Sequence, residues 1–150
     1  MIIKPQDLKY FCVEEFVYED LYTRLGDYSL SLVNWRIILT VMQLREFFGL
    51  PIYLNTWKWE GKHQYRGLRP MHIYEDPRTG TKFARRSCHL FGLALDFSIK
   101  GMPSDEVRKA LIKHRYLFPH IHRMEHDTNG WTHIDCKGEF KPEIVMFNAI

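Results

Sequence analysis

Two short stretches of this sequence combine imidazole and carboxylate side chains at spacings suited to binding a metal ion. The first stretch, residues 87–96, contains His89 and Asp96, and the second contains His133 and Asp135. Two histidines and one carboxylate, brought together by folding, can hold a zinc ion and leave one coordination position open. Hydrolytic zinc sites use such an open position, so the pattern predicts a hydrolytic centre wherever the two stretches meet.

The residues around Asp96 favour a ligand role for its carboxylate. Leu95 and Phe97 flank it on a predicted strand and are expected to point the other way, into the core. Burying an acid in such a setting is costly unless it is paired or binds a metal. Gly92 allows the chain to turn between His89 and Asp96. The alternative interpretation is a carboxylate satisfied at the edge of a strand.

His133 and Asp135 alternate along a second predicted strand, so both side chains face the same side. Imidazole suits zinc, so His133 is the expected third ligand. Asp135 is expected to contact a ligand on the side away from the metal and to hold its orientation. A lone histidine in a strand is also a common structural residue. The ligand interpretation of His133 therefore depends on its partners.

Hydrolysis also requires a base near the water molecule and a group that recognises the substrate. Glu125 ends the strand before the hairpin turn, where antiparallel pairing brings it near His133, and it is the expected base. His126 and Asp127 are alternatives. Arg66 and Arg69 lie in a polar loop before the first stretch, and either guanidinium could bind a substrate carboxylate through bidentate hydrogen bonds. Each of these residues also has a plain interpretation as a solvated surface charge.

The elements that must position these residues follow an α+β pattern, with helices first and a mostly antiparallel sheet after them. Apolar periodicity predicts a buried helix that Gly49 and Pro51 end. Asp127, Asn129 and Gly130 predict the turn of a hairpin. The predicted helices are 29–48 and 105–115, the latter with Ser104 as N-cap, and the predicted strands are 52–57, 93–99, 120–126, 131–137 and 144–147.

Composition limits the class of protein and its partners. The chain has 150 residues, 45% of them apolar, which predicts a single domain over residues 1–150. Its net charge of +3 is carried by scattered Lys and Arg residues, which disfavours a nucleic-acid partner and permits an anionic one such as a cell-wall polymer. Three cysteines without a paired motif indicate a reducing compartment. No signal peptide or membrane span is visible, so we expect synthesis in the cytoplasm and no membrane partner.

The residues of both stretches resemble the motifs of a known family. SCHLFGLALD, residues 87–96, is similar to the S-x-H-x-x-G-x-A-x-D motif of the zinc D-alanyl-D-alanine carboxypeptidases and L-alanyl-D-glutamate endopeptidases, and it matches at all five defined positions. WTHID, residues 131–135, resembles their second motif. LKYFCVEEF, REFFGLPIYL and QYRGLRP resemble the layout of short phage and bacterial members, so the resemblance covers roughly residues 8–137.

The resemblance implies the Hedgehog/DD-peptidase fold and zinc held by His89, Asp96 and His133. It implies hydrolysis of an amide bond in peptidoglycan stem peptides, as a DD-carboxypeptidase or an L,D-endopeptidase. Glu125 would act as the catalytic acid or base and Arg66 would bind the substrate carboxylate, with Ser87 and Asp135 supporting the ligands. Such a protein would be phage-encoded, and it would act on the cell wall after release or as part of a phage particle.

The sequence departs from the family pattern at one position. Many members carry the catalytic acid three residues before the last ligand, where this chain has Gly130. Other members of the superfamily use an acid on the preceding strand, which Glu125 matches. Two alternatives to the peptidase therefore stay open: a non-catalytic zinc-binding structural or peptidoglycan-binding virion protein on the same fold, and a globular protein with purely structural histidines. The oligomeric state is open as well.

Overall fold

The computed structural model describes residues 1–80, 82 and 86–148. Across these residues it contains three α-helices and a five-stranded sheet, which confirms the α+β class. None of the described helices has the length and apolar content needed to cross a membrane. The helices are α1 (Glu19–Leu25), α2 (Trp35–Phe48) and α3 (Ser104–Lys113), and the strands are β1 (Ile52–Tyr53), β2 (Ala94–Ile99), β3 (Arg123–Glu125), β4 (Thr132–Asp135) and β5 (Val145–Phe147).

The central helix starts six residues later than the apolar periodicity predicts. Residues Gly26–Leu32 form a 3-10 helix instead of the first turns of α2. The α-helix begins at Trp35 because the Asn34 side chain accepts a hydrogen bond from the backbone N–H of Arg36 and caps the helix. The predicted end of the helix is confirmed, since Gly49 adopts a left-handed conformation there.

Two further boundaries differ from the sequence-based expectation. The residue before α3 is Pro103, and Ser104 is the first helical residue rather than the N-cap; its hydroxyl donates to the Thr128 carbonyl at 3.3 Å. The first strand is only two residues long, because the chain turns into a 3-10 helix over Trp57–Trp59. The predicted strand over 52–57 is therefore too long.

The strands form a sheet in the order β1-β2-β4-β3-β5. The first three neighbouring pairs are antiparallel, and β5 lies parallel to β3 at one edge. The predicted hairpin is confirmed as β3 and β4, although both strands are shorter than the apolar pattern suggests. The last predicted strand is confirmed as β5.

The register of the three central strands separates the sheet into two faces. Leu95 of β2 lies opposite Ile134 of β4, which lies opposite Met124 of β3. All three are fully buried and belong to one hydrophobic cluster that also contains residues of α2 and α3. We call this side of the sheet, defined by Leu95, Met124 and Ile134, the core face. Because side chains alternate along a strand, their neighbours project on the other side.

Candidate metal centre

The side of the sheet opposite the core face carries the predicted site. Asp96 of β2 is the register partner of His133 of β4, and Asp135 is the partner of Arg123 on β3. Continuing the same register sets Glu125 beside His133. We call this side, defined by those five residues, the site face. The sheet therefore brings four predicted site residues, Asp96, Glu125, His133 and Asp135, to one side of the sheet from three separate strands.

His89 reaches the same place from a single 3-10 turn, Cys88–Phe91, that leads into β2. Gly92 ends this turn with a φ of +66°, and a Cβ at that position would lie 2.2 Å from the Leu32 carbonyl oxygen. Only glycine combines this conformation with so close an approach. The Asn34 N–H donates to the Gly92 carbonyl at 2.9 Å, which fixes the turn to the start of α2.

Three potential ligand atoms of buried residues converge at the centre of the site. His133 Nδ1 lies 2.8 Å from Asp96 Oδ1 and 3.2 Å from His89 Nε2, and His89 Nε2 lies 3.3 Å from Asp96 Oδ1. Ligands about 2.0–2.1 Å from a tetrahedral zinc ion are about 3.3 Å from one another. The spacing and the donor types therefore fit a metal ion, and this buried His-Asp-His group could hold one.

Hydrogen bonds at the far side of each imidazole fix which nitrogen faces the centre. His89 Nδ1 donates to the Gly67 carbonyl at 2.8 Å, which leaves Nε2 as the free lone pair. His133 Nε2 lies 3.3 Å from Asp135 Oδ2, which directs Nδ1 inward. Arg123 in turn holds the fully buried Asp135 through two bonds of 2.9 and 2.8 Å. Such outer contacts orient metal-binding histidines and raise their basicity.

The electrostatics of the site favour one positive charge on the pair of histidines, at His133. Burial lowers the pKa of His89 and disfavours a charge on this ring. Burial also opposes a charge on His133, but the Asp135 and Asp96 carboxylates outweigh it and raise its pKa to about 9. Burial alone would raise the pKa of Asp96, yet the two histidines hold it far below the usual range. The site is therefore built for a positive charge between Asp96 and Asp135.

Glu125 is the candidate base that lines the cavity in front of this group. The cavity has a volume of about 450 Å³ and is also lined by all three potential ligands. Glu125 is half-buried, and this burial raises the pKa of its carboxyl while His133 opposes the rise. The alternatives His126 and Asp127 are exposed on the hairpin turn. Gly130, at the acid position of many family members, is exposed in that same turn.

Arg69 contacts the His-Asp-His group directly. Its guanidinium donates to Asp96 Oδ2 at 2.5 Å and to the Tyr74 hydroxyl at 3.0 Å, and its Nε donates to the Tyr65 carbonyl. The Tyr74 hydroxyl also lies 2.9 Å from the hydroxyl of Ser87. Ser87 is therefore linked to Asp96 through Tyr74 and Arg69, and Asp96 keeps Oδ1 available for a metal.

Arg66 lies at a greater remove from the metal-binding group. Its guanidinium donates to the Tyr53 carbonyl at 2.8 Å and to the Ser98 hydroxyl at 2.7 Å. It lines a second cavity of about 270 Å³, which shares Arg69, Asp96 and Trp131 with the first cavity. Both arginines predicted from the sequence thus border the site: Arg69 lines both cavities, and Arg66 lines the second cavity.

Three residues of the site were missed by the sequence reasoning. Arg123 was overlooked, although it alternates with Glu125 and its hairpin partner is Asp135, so a count of the register would have found it. Phe147 packs edge-on to the His133 ring with centroids 5.7 Å apart, and it lies under the Arg123 guanidinium. Tyr74 comes from a long polar segment that offered no signal.

No known protein-family model, curated protein or solved structure matches this chain. The fold and the site define an α+β protein with a buried His-Asp-His group, able to hold a metal ion, beside a cavity of about 450 Å³.

Proposed function

We propose that this chain is a zinc-dependent peptidase that hydrolyses an amide bond in peptidoglycan stem peptides, on a Hedgehog/DD-peptidase-like fold. The observation that carries the proposal is the meeting of His89, Asp96 and His133 in one cavity with Glu125. The motif resemblance supplies the family and the substrate class. A phage-encoded lysis enzyme or a virion-associated enzyme fits this activity.

Zinc suits the group better than calcium or magnesium does. Two neutral imidazole nitrogens and one carboxylate oxygen form a donor set typical of catalytic zinc, whereas calcium and magnesium prefer oxygen alone. His89, Asp96 and His133 would hold the ion, and Asp135, Gly67 and Arg69 hold the ligands in place. When bound, zinc supplies a Lewis acid that lowers the pKa of water and polarises a carbonyl group.

The residues of the chain supply the remaining functions of a hydrolase. Glu125 lines the cavity on the β3 side of His133, where its carboxylate can accept a proton from water and return it to the leaving amine. Burial raises its pKa and brings it closer to the range that suits such transfers. Arg66 lines the second cavity together with Trp131, and its guanidinium would hold a carboxylate of the substrate there.

A second candidate function is a zinc-binding protein of the virion that binds the cell wall without cleaving it. The specific observation in its favour is Gly130, which has no side chain where many family members carry their acid. Glu125 would then have no catalytic role. The two candidates differ in turnover but agree on the metal.

The two candidates are separated by incubating the zinc-loaded protein with purified stem peptides of both linkage types and with whole peptidoglycan. We expect new amine termini or released D-alanine, and a loss of about 100- to 10,000-fold in rate with Glu125→Gln. Glu139→Gln, an exposed glutamate outside the cavity, is the matched control and should keep full activity. Stoichiometric zinc with no cleavage of any peptide would leave only the binding protein.

A further inference from the structure

Among the described residues, the excess positive charge is concentrated in the two cavities around the His-Asp-His group. Histidines aside, six cationic and three acidic side chains of these residues line the cavities. The described residues include 20 cationic and 18 acidic side chains, since Arg85 lies outside them, so 20 less 6 leaves 14, 18 less 3 leaves 15, and the remainder is nearly balanced. The cationic residues are Lys62, Arg66, Arg69, Arg86, Arg123 and Lys137, and the acidic ones are Asp96, Glu125 and Asp135.

The sheet register shows that these cations lie at two opposite ends of the site. The Arg66 guanidinium is bonded to Ser98, which is two residues beyond Asp96 on β2. Arg123 is bonded to Asp135, which is two residues beyond His133 on β4. Since the strands are antiparallel, these offsets point in opposite directions from the rung that pairs Asp96 with His133. A rise of about 3.3 Å per residue sets each end about 7 Å from that rung.

Further cations extend each end beyond the contacts made by those arginines. Lys62 lines the cavity at the Arg66 end, and Arg86 and Lys137 line the cavity that holds Arg123. Lys62, Arg86 and Lys137 are exposed, and their charges are therefore accessible to a ligand. Trp131 borders both cavities, and continuing the β2–β4 register sets it opposite Ser98, at the Arg66 end. Asp96 and Glu125 are near the centre, where Arg69 compensates Asp96, whereas Asp135 lies at the Arg123 end and is compensated there by Arg123.

We propose that the site takes a peptide with a negatively charged group on each side of the bond held at the metal, one toward the Ser98 end and one toward the Asp135 end, whose backbone positions are about 14 Å apart. This inference rests on the proposed function in taking the ligand to be a peptide, and it deepens that function by stating the substrate class. An extended peptide covers the distance in about four residues. All stem peptides carry the free α-carboxylate of the γ-linked D-Glu residue, and the tightest binding is expected for those that add a free carboxyl terminus and the further carboxylate that distinguishes meso-diaminopimelate from lysine.

Four synthetic pentapeptides test this selection. All have the form N-acetyl-L-Ala-γ-D-Glu-X-D-Ala-D-Ala, where X is meso-diaminopimelate or L-lysine and the C-terminus is an acid or an amide. Their affinities are measured by calorimetry with the zinc-loaded Glu125→Gln protein, which removes turnover. We expect each carboxylate to raise affinity by about fivefold at low salt, as for a partly exposed ion pair, with a smaller gain at 0.5 M salt.

Charge reversal at each end assigns the two carboxylates. We expect Lys62→Glu to remove the preference for one carboxylate and Lys137→Glu to remove the preference for the other. The peptide that lacks both added carboxylates should bind all variants about equally. Lys109→Glu is the matched control, because it makes the same charge change on an exposed residue of α3 outside the cavities.

The outcomes of this experiment separate the inference from the proposed function. Equal affinity for the four peptides, or no measurable binding, overturns the inference even where the wild-type protein cleaves all of them. Carboxylate-dependent binding that both charge reversals abolish supports it, even where the wild-type protein cleaves none. Loss of the preference in Lys109→Glu as well would show a general charge effect and would overturn it.

Discussion

The core face and the site face belong to the same three strands and differ by a shift of one residue. On the core face, Leu95 and Ile134 are fully buried among apolar side chains. On the site face, Asp96 and His133 are almost as deeply buried, but each of their polar atoms has a charged or polar partner. Burial stabilises the first face through the hydrophobic effect and strengthens electrostatic interactions on the second.

This difference shows how one sheet serves both stability and chemistry. Side chains alternate along every strand, so a slip of one residue would exchange the faces of all three strands. The apolar residues fix the register because only one alignment buries them together. The same alignment then sets Asp96 opposite His133. The site is thus positioned by residues that do not belong to it.

The strongest test of the difference between the two faces is to substitute two adjacent residues of β4, one on each face. We expect His133→Ala to lower zinc affinity by more than about 100-fold, because it removes a ligand. Ile134→Ala should leave zinc affinity unchanged and lower the free energy of unfolding by about 3 kcal/mol, because it leaves a cavity in the core. Chelator competition and thermal unfolding in EDTA measure the two effects. Equal zinc affinity in the two variants would contradict the assignment of the faces.

Gly92 lies between the turn that contains His89 and strand β2, whose side chains form both faces. Gly92→Ala should lower the free energy of unfolding by about 3 kcal/mol, because a left-handed alanine is strained and its Cβ would meet the Leu32 carbonyl. Gly130→Ala is the matched control: its φ is +88°, but nothing lies within 4 Å of the added carbon, so about 1 kcal/mol is expected. Denaturant unfolding measures both values. Similar losses would mean that the close contact with α2 has no energetic role.

Local patterns in the sequence were sufficient to predict the class of fold and the potential ligands. The alternation of polar and apolar residues around Asp96 and His133 predicted two features: the neighbours of these residues are buried, and the site residues face the same side of the sheet. The turn residues between β3 and β4 fixed the hairpin, and from it the position of Glu125. These features depend on contacts that a strand or a hairpin makes with itself.

Features that depend on tertiary contacts were not predictable in the same way. The start of α2 is predicted too early, because over one or two turns an apolar spacing of three residues suits a 3-10 helix as well as an α-helix; Asn34, which caps α2, marks the boundary. Tyr74 reaches the site from a segment with no regular pattern. The contact between Arg69 and Asp96 spans 27 residues, and no spacing rule relates a loop arginine to a strand carboxylate.

The pH dependence of metal binding tests the electrostatics of the site face. Because Asp135 and Asp96 raise the pKa of His133 to about 9, the metal-free protein holds a proton there that zinc must displace. Zinc affinity should therefore rise by up to about tenfold per pH unit between pH 6.5 and 8, with about one proton released per ion. Calorimetry in buffers of different ionisation enthalpy measures the release. Affinity that is constant over this range would show that His133 is neutral before zinc binds.

Arg123 allows a finer test, because it acts on the metal only through Asp135 and His133. A lysine keeps the charge but cannot hold both carboxylate oxygens at once, so Asp135 would no longer fix the His133 ring. We expect Arg123→Lys to lower zinc affinity by about tenfold. The matched control is Arg115→Lys, because Arg115 is a buried arginine bonded to the carbonyls of Phe118 and Lys141, away from the cavities. It should lower the melting temperature and leave zinc affinity unchanged, as measured by chelator competition. If both variants lose stability and neither loses affinity, Arg123 serves only the packing of the sheet edge, and the orientation of His133 depends on Asp135 alone.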